Sequence, residues 1–163
     1  VYLISAPWPR EFAAALANAA RPLADRDSSM PCLAMPLAEA FVPFALATAV
    51  REAGVPFSAV TAVGDCKPAV HGLNRGSSPV PQLQPVLAAL RALAQQWLGV
   101  HVPREQNIDM DRLSHPAELG AVRREARDAG LRPIVLDVPD PCWRLLQAAM
   151  QRPMGHDRWL RDA

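Results

Sequence analysis

The chain has 163 residues, half of them apolar, with 17 Lys and Arg against 16 Asp and Glu. A formal charge of +1 removes bulk electrostatics as an argument for any partner, and this length and apolar content suit one domain with a real core. Cys32, Cys66 and Cys142 are far apart and form no C-x-x-C pair, so neither a disulfide framework nor a zinc site is implied and an intracellular, reducing location is expected. No uncharged apolar run reaches the roughly 18 residues of a membrane span; the nearest, 30–50, contains Glu39 and three prolines. With Val1 in place of Met, the sequence is expected to be a piece of a longer polypeptide, and no signal peptide can be argued. The basic residues are nearly all Arg, Lys67 being the exception. Arg suits bidentate phosphate contacts, but its abundance names no partner.

Val1-Tyr2-Leu3-Ile4 is β-branched and aromatic and is ended by Ser5-Ala6-Pro7-Trp8-Pro9, which predicts a strand. Residues 12–18 are Ala-rich and would be helical in isolation. With Arg21-Pro22-Leu23-Ala24 as a third short strand, the expectation for 1–27 is nevertheless a three-strand meander. Residues 37–53 are apolar almost all round, which predicts a buried helix complicated by Pro43 and closed by Gly54. A strand over 57–63 follows, with Gly64-Asp65 at its carboxyl end, then a short helix over 66–73 closed by Asn74-Arg75-Gly76.

Leu83, Val86, Leu87, Leu90, Leu93, Ala94 and Trp97 recur at three and four residues and predict a helix over 82–97. A strand over 98–102 is stopped by Pro103. The stretch 101–114, H-V-P-R-E-Q-N-I-D-M-D-R-L-S, is densely polar after an apolar run, as at a strand end entering a functional loop. A charged helix over 116–130, a strand over 134–138 and a helix over 143–150 complete the chain, with a polar tail from 151. The helix at 143–150 is expected to pack Trp143 and Leu146 onto the preceding domain.

The candidate site residues each have an ordinary reading. Glu39 suits a solvated helix start, Asp65 an N-cap, Asn107 an N-cap, Asp111 a helical first turn, and His101 a polar strand position. Asp109 is out of phase and reads as surface. Their order carries more than any one of them. A helix bearing Glu, a strand ending in Asp, and a later strand leading to a loop and Asp would gather carboxylates at one end of a sheet, where open α/β sheets place their sites. Clustered carboxylates repel, and hard oxygen donors suit Mg²⁺ or Mn²⁺.

Val102-Pro103-Arg104-Glu105-Gln106-Asn107 through Asp111-Arg112-Leu113-Ser114, with His101 six residues before Asn107 and ten before Asp111, resembles the last motif of ribonuclease H domains in retroelement reverse-transcriptase polyproteins. Gly64-Asp65-Cys66-Lys67, with Ala69-Val70 and Leu73-Asn74-Arg75-Gly76, resembles that family's third carboxylate motif, and Glu39 matches the second by order. Arg21-Pro22-Leu23-Ala24 resembles the third strand. The resemblance covers 1–116. It implies a ribonuclease H-like α/β domain over 1–116, with a five-stranded mixed sheet flanked by helices, and a short C-terminal extension over 117–163.

The same resemblance implies metal-dependent hydrolysis of the RNA strand of RNA–DNA hybrids. Glu39, Asp65 and Asp111 would hold a two-metal Mg²⁺ or Mn²⁺ site, and His101 would assist proton transfer or product release. Asn107 would orient the loop, and Arg75, Arg104 and Arg112 are candidates for phosphate contacts. A polymerase domain in the same polypeptide is the expected neighbour. One position departs from the family pattern: Ser5 stands where the first strand should end in Asp. Either that Asp has been lost or it lies upstream of Val1, and a hydroxyl cannot replace a bridging carboxylate. The alternatives are a catalytically inactive remnant that binds nucleic acid or serves as a structural module, and an unrelated α/β domain with surface carboxylates.

Overall fold

Helix α2, Met35–Glu52, is the hub of the molecule. It packs against strands β1 (Tyr2–Ile4), β2 (Ala59–Gly64) and β4 (Ile134–Leu136), and against helices α3 (Lys67–Arg75), α4 (Leu83–Leu93) and α6 (Asp140–Met150). The computed structural model describes residues 1–4, 6–27, 35–108, 112 and 117–152. Contacts on so many sides explain the sequence of α2, in which Leu37, Ala38, Ala40, Phe41, Phe44, Ala45, Ala47 and Ala49 are all buried. Pro43 lies inside the helix and donates no N–H, so the carbonyl of Glu39, four residues earlier, loses its helical partner. Gly54, just past the end, takes the left-handed φ of +81° that its lack of a side chain permits.

The architecture is mixed α/β. Among the described residues there are four strands in two parallel pairs, β1 with β4 and β2 with β3 (Gln96–His101), rather than one five-stranded mixed sheet. The meander expected over 1–27 is not formed. Residues 12–18 belong to helix α1, Arg10–Ala19, followed by a 3₁₀ turn at Leu23–Asp25. The Ala-rich helix propensity of this stretch prevails, because Phe12, Ala15 and Ala19 recur on one helical face and are buried there. Asn18 is buried beside them without strain. Its Nδ2 donates to the Asp27 carbonyl at 3.0 Å and its Oδ1 accepts from the Asp27 N–H at 2.9 Å, which ties down the return loop.

The β2–β3 ladder runs in register from Ala59 opposite Gln96 to Gly64 opposite His101. The helix expected over 82–97 stops at Leu93, and Ala94 turns extended at φ −140°, ψ 147°. Trp97 therefore lies in β3 opposite Val60, where an aromatic residue suits a pleated ladder. Period 2 divides the two strands. Trp97 and Gly99 face the helices, while Val63, Leu98 and Val100 remain exposed, Val63 and Leu98 at 54% and 55%.

Two details hold α3 close to β3. A Cβ at Gly99 would come within 2.9 Å of the Val70 carbonyl oxygen, so the approach needs a glycine there. Asn74 then pairs with the strand's free edge: its Nδ2 donates to the Gly99 carbonyl at 2.9 Å and its Oδ1 accepts the Gly99 N–H at 2.7 Å. Removing one side of such a partly buried pair costs about 1–3 kcal/mol.

A single buried cluster joins α1, α2, α4 and α6 through Phe12, Leu37, Phe41, Leu83, Leu87, Leu90 and Leu146. Trp8 stacks at 4.6 Å from Phe12, and Trp143 lies 5.3 Å from Phe41, ring centroid to ring centroid. Leu146 is fully buried and Trp143 joins the aromatic group, so the last helix packs Trp143 and Leu146 onto the preceding elements as expected. Helix α5, Leu119–Asp128, buries none of its residues.

Candidate functional site

The carboxyl ends of β2 and β3 stand side by side, since Gly64 is opposite His101. The chain leaving β3 is latched to that end, because the Val102 N–H donates to the Gly64 carbonyl at 3.0 Å. Pro103, with its fixed φ, then starts a 3₁₀ turn over Arg104–Gln106, closed by the Asn107 N–H on the Arg104 carbonyl at 3.0 Å. This turn carries Asn107 back to the end of β2. Its Nδ2 donates to Asp65 Oδ1 at 3.4 Å, a long bond joining residues 42 apart in sequence.

Asp65 sits between the last residue of β2 and the start of α3, where Cys66 occupies the N-cap position and Pro68 the first turn. The N-cap reading of Asp65 is therefore incorrect: its carboxylate accepts from Asn107, and its charge acts on Glu39. Glu39 lies in the second turn of α2 and keeps solvent access. Protein packed around its carboxyl raises the pKa above the ordinary 4.5, the negative charge of Asp65 raises it further, and Arg104 partly offsets both. Three segments distant in sequence thus bring two carboxylates, one amide and one guanidinium to the same end of the sheet.

Cys66 belongs to this cluster and sequence reading passed over it. Burial pushes its thiol up, an N–H from Ala69 opposes that, and the charges of Glu39 and Asp65 push it further up. The thiol is therefore protonated at neutral pH and is no nucleophile. Its place directly after Asp65 was the available signal.

The remaining candidates fall in different places. His101 is exposed on the last residue of β3, at the same end as Asp65. Arg75 is exposed at the far end of α3, about 12 Å along the helix axis from its first turn, and its carbonyl accepts from Arg91 Nη2 at 2.9 Å. Arg112 is engaged by carboxylates of the chain itself. Its Nε donates to Glu118 at 2.9 Å, and Nη1 and Nη2 grip both oxygens of Glu125 at 2.9 and 2.8 Å. These bonds raise the pKa of the guanidinium still higher and hold the Glu125 carboxyl below its usual range. Asp111, Asp109 and Ser5 lie outside the described residues.

Among the described residues no three His, Cys, Asp or Glu side chains form a metal-binding group. The pair formed by Glu39 and Asp65 still has the right chemistry for a divalent cation. Both are hard oxygen donors, their mutual repulsion raises the pKa of Glu39, and Mg²⁺ commonly takes only one or two protein carboxylates beside a substrate's phosphates.

No protein-family model, no curated protein and no solved structure matches this chain. The functional reading rests on the site itself. No helix among the described residues is long and apolar enough to cross a membrane.

Proposed function

We propose that the chain is a ribonuclease H-like module whose carboxylate cluster serves hydrolysis of the RNA strand of an RNA–DNA hybrid, within a retroelement reverse transcriptase. The observation that carries this reading is the meeting of Glu39, Asp65 and Asn107 beside the ends of two parallel strands. The order of the motifs in the sequence demands that meeting, and a set of unrelated surface carboxylates does not. The parallel β2–β3 pair preceded by a Glu-bearing helix also supports a ribonuclease H-like arrangement. Residues 10–19 are helical, so the other strands of a five-stranded mixed sheet would come from outside them.

In this reading Glu39 and Asp65, with Asp111 as a third oxygen donor, hold the Mg²⁺ or Mn²⁺. The divalent cation supplies activation of water and neutralisation of the phosphate charge that builds up during displacement. Asn107 fixes the orientation of Asp65, Arg104 tempers the negative charge at Glu39, and His101 at the open end of β3 assists proton transfer or product release. A hybrid is recognised by groove shape and 2′-hydroxyls rather than by base sequence.

Ser5 favours a second reading, a remnant that keeps the fold and binds hybrid without cutting it. A cleavage assay separates the two. With a labelled hybrid and Mn²⁺, the account expects slow cleavage by the unaltered chain, a gain of at least tenfold in Ser5→Asp, and loss in Asp65→Asn. Cleavage equal in the unaltered chain and Asp65→Asn would remove the nuclease reading. Cleavage by Ser5→Asp alone would establish the remnant.

A further inference from the structure

Helix α5 carries charge of both signs, but the two signs meet different fates. Its Glu125 and the adjoining Glu118 are used internally, both bound to Arg112. Its arginines are not. No ion pair or hydrogen bond to the side chains of Arg123, Arg124 or Arg127 is formed among the described residues, although the charge of Arg124 reaches Glu125. Arg123 and Arg127, four residues apart, are like charges on one helical face, an arrangement that destabilises an isolated helix.

These three side chains and Gly120 line a cleft of about 290 Å³. Among the described residues the Nε of Arg123 is shut off from solvent and has no hydrogen-bond acceptor. A shielded, charged donor without an acceptor is costly unless a ligand completes it. The helix gains nothing from the core by this arrangement, since none of its residues is buried.

We propose that the Arg123, Arg124 and Arg127 face of α5 is a phosphate-binding surface that contacts the backbone of a nucleic-acid strand. Guanidinium groups match phosphate oxygens bidentately. From Arg123 to Arg127 the helix rises about 6 Å, close to the axial advance of two nucleotides in one strand. The phosphate chemistry rests on α5 alone, while the choice of a nucleic-acid strand rests on the function proposed above. Contacts of this type fix position and add affinity without reading sequence.

The test is fluorescence anisotropy with a labelled RNA–DNA hybrid in EDTA, which keeps cleavage out of the readout. Three variants are compared with the unaltered chain: Arg123→Gln/Arg124→Gln/Arg127→Gln, the same three sites changed to Lys, and a charge-matched control, Arg10→Gln/Arg132→Gln/Arg144→Gln. The proposal expects the α5 Gln variant to lose at least tenfold in affinity. Its log–log salt slope should fall by about 2.7, since each lost phosphate contact removes about 0.9. The Lys variant should recover most of the loss, and the control should change less than threefold. Equal losses in the α5 and control variants, no loss in the α5 variant, or no hybrid binding by the unaltered chain would each overturn the proposal. Displacement of the hybrid by inorganic phosphate at matched ionic strength would assign the cleft to a small phosphate ligand and overturn the strand assignment. Binding here, with no cleavage by any variant in the separate Mn²⁺ assay, would remove the nuclease reading alone. Cleavage with unchanged binding in the α5 variant would remove this one alone.

Discussion

Helices α2 and α5 use charge in opposite ways. Over Met35–Glu52, α2 is apolar on almost every side, and its single charged residue ahead of Arg51 is Glu39. That carboxylate is held near a second one, Asp65, and its pKa is raised by burial and by that neighbour. Over Leu119–Asp128, α5 buries nothing, and its Glu125 carboxylate is already bound to Arg112. In one helix packing isolates a negative charge at a site; in the other, pairing of the negative charges isolates positive ones. An unmatched charge is informative to the extent that its surroundings have withheld the obvious partner.

The widest separation between the two helices should be in stability. Phe41 is 1% exposed in the centre of the core and 5.3 Å from Trp143, so Phe41→Ala should cost about 3–5 kcal/mol by cavity formation and lost burial. Val122→Ala in α5 should stay within about 0.5 kcal/mol, as for a surface position. Urea denaturation measures both. Comparable losses would mean that α5 belongs to the core and would break the contrast.

A divalent cation at the carboxylates should come next in size. Mn²⁺ at ten times its dissociation constant should stabilise the chain by about 1.4 kcal/mol, seen as a rise in thermal midpoint, and Glu39→Gln/Asp65→Asn should abolish the rise. A chain stabilised equally with and without the two carboxylates would bind the ion elsewhere.

The smallest effect is in pH. Glu39 has a folded pKa raised above 4.5, so between 4.5 and that raised value the folded state binds more proton than the unfolded one. Stability from this group is therefore fully present below 4.5 and declines as pH rises through the folded pKa. Asp65→Asn removes the neighbouring charge and should bring the Glu39 carboxyl down, narrowing that window. Carboxyl chemical shifts of Glu39 followed against pH measure it directly; an unmoved midpoint in Asp65→Asn would show that burial alone sets the shift.

Some of this was legible from residues alone. The place of Asp65 at the carboxyl end of a strand was legible, since Gly64 ends β2, whereas the bond from Asn107 to Asp65 was not, because a turn delivers that side chain. The helix over 12–18 was misjudged because a strand order was imposed on residues whose Ala content favours a helix. Trp97 was assigned to a helix because its position continues an apolar spacing that Leu83, Leu87 and Leu90 begin, while Ala94 breaks the backbone before it. The clamp of Asn74 on Gly99 and the bidentate grip of Arg112 on Glu125 join partners 25 and 13 residues apart. No periodicity encodes either, since each depends on where a loop delivers one side chain.

The central claim, that the Glu39–Asp65 end of β2 and β3 takes a divalent cation, is tested most directly by titrating trace Mn²⁺ into isotope-labelled chain and recording which backbone amides broaden. The account predicts selective broadening of Gly64, Asp65, Cys66 and Val102 before any other amide, lost in Asp65→Asn. Broadening centred elsewhere, or unchanged in Asp65→Asn, would contradict it.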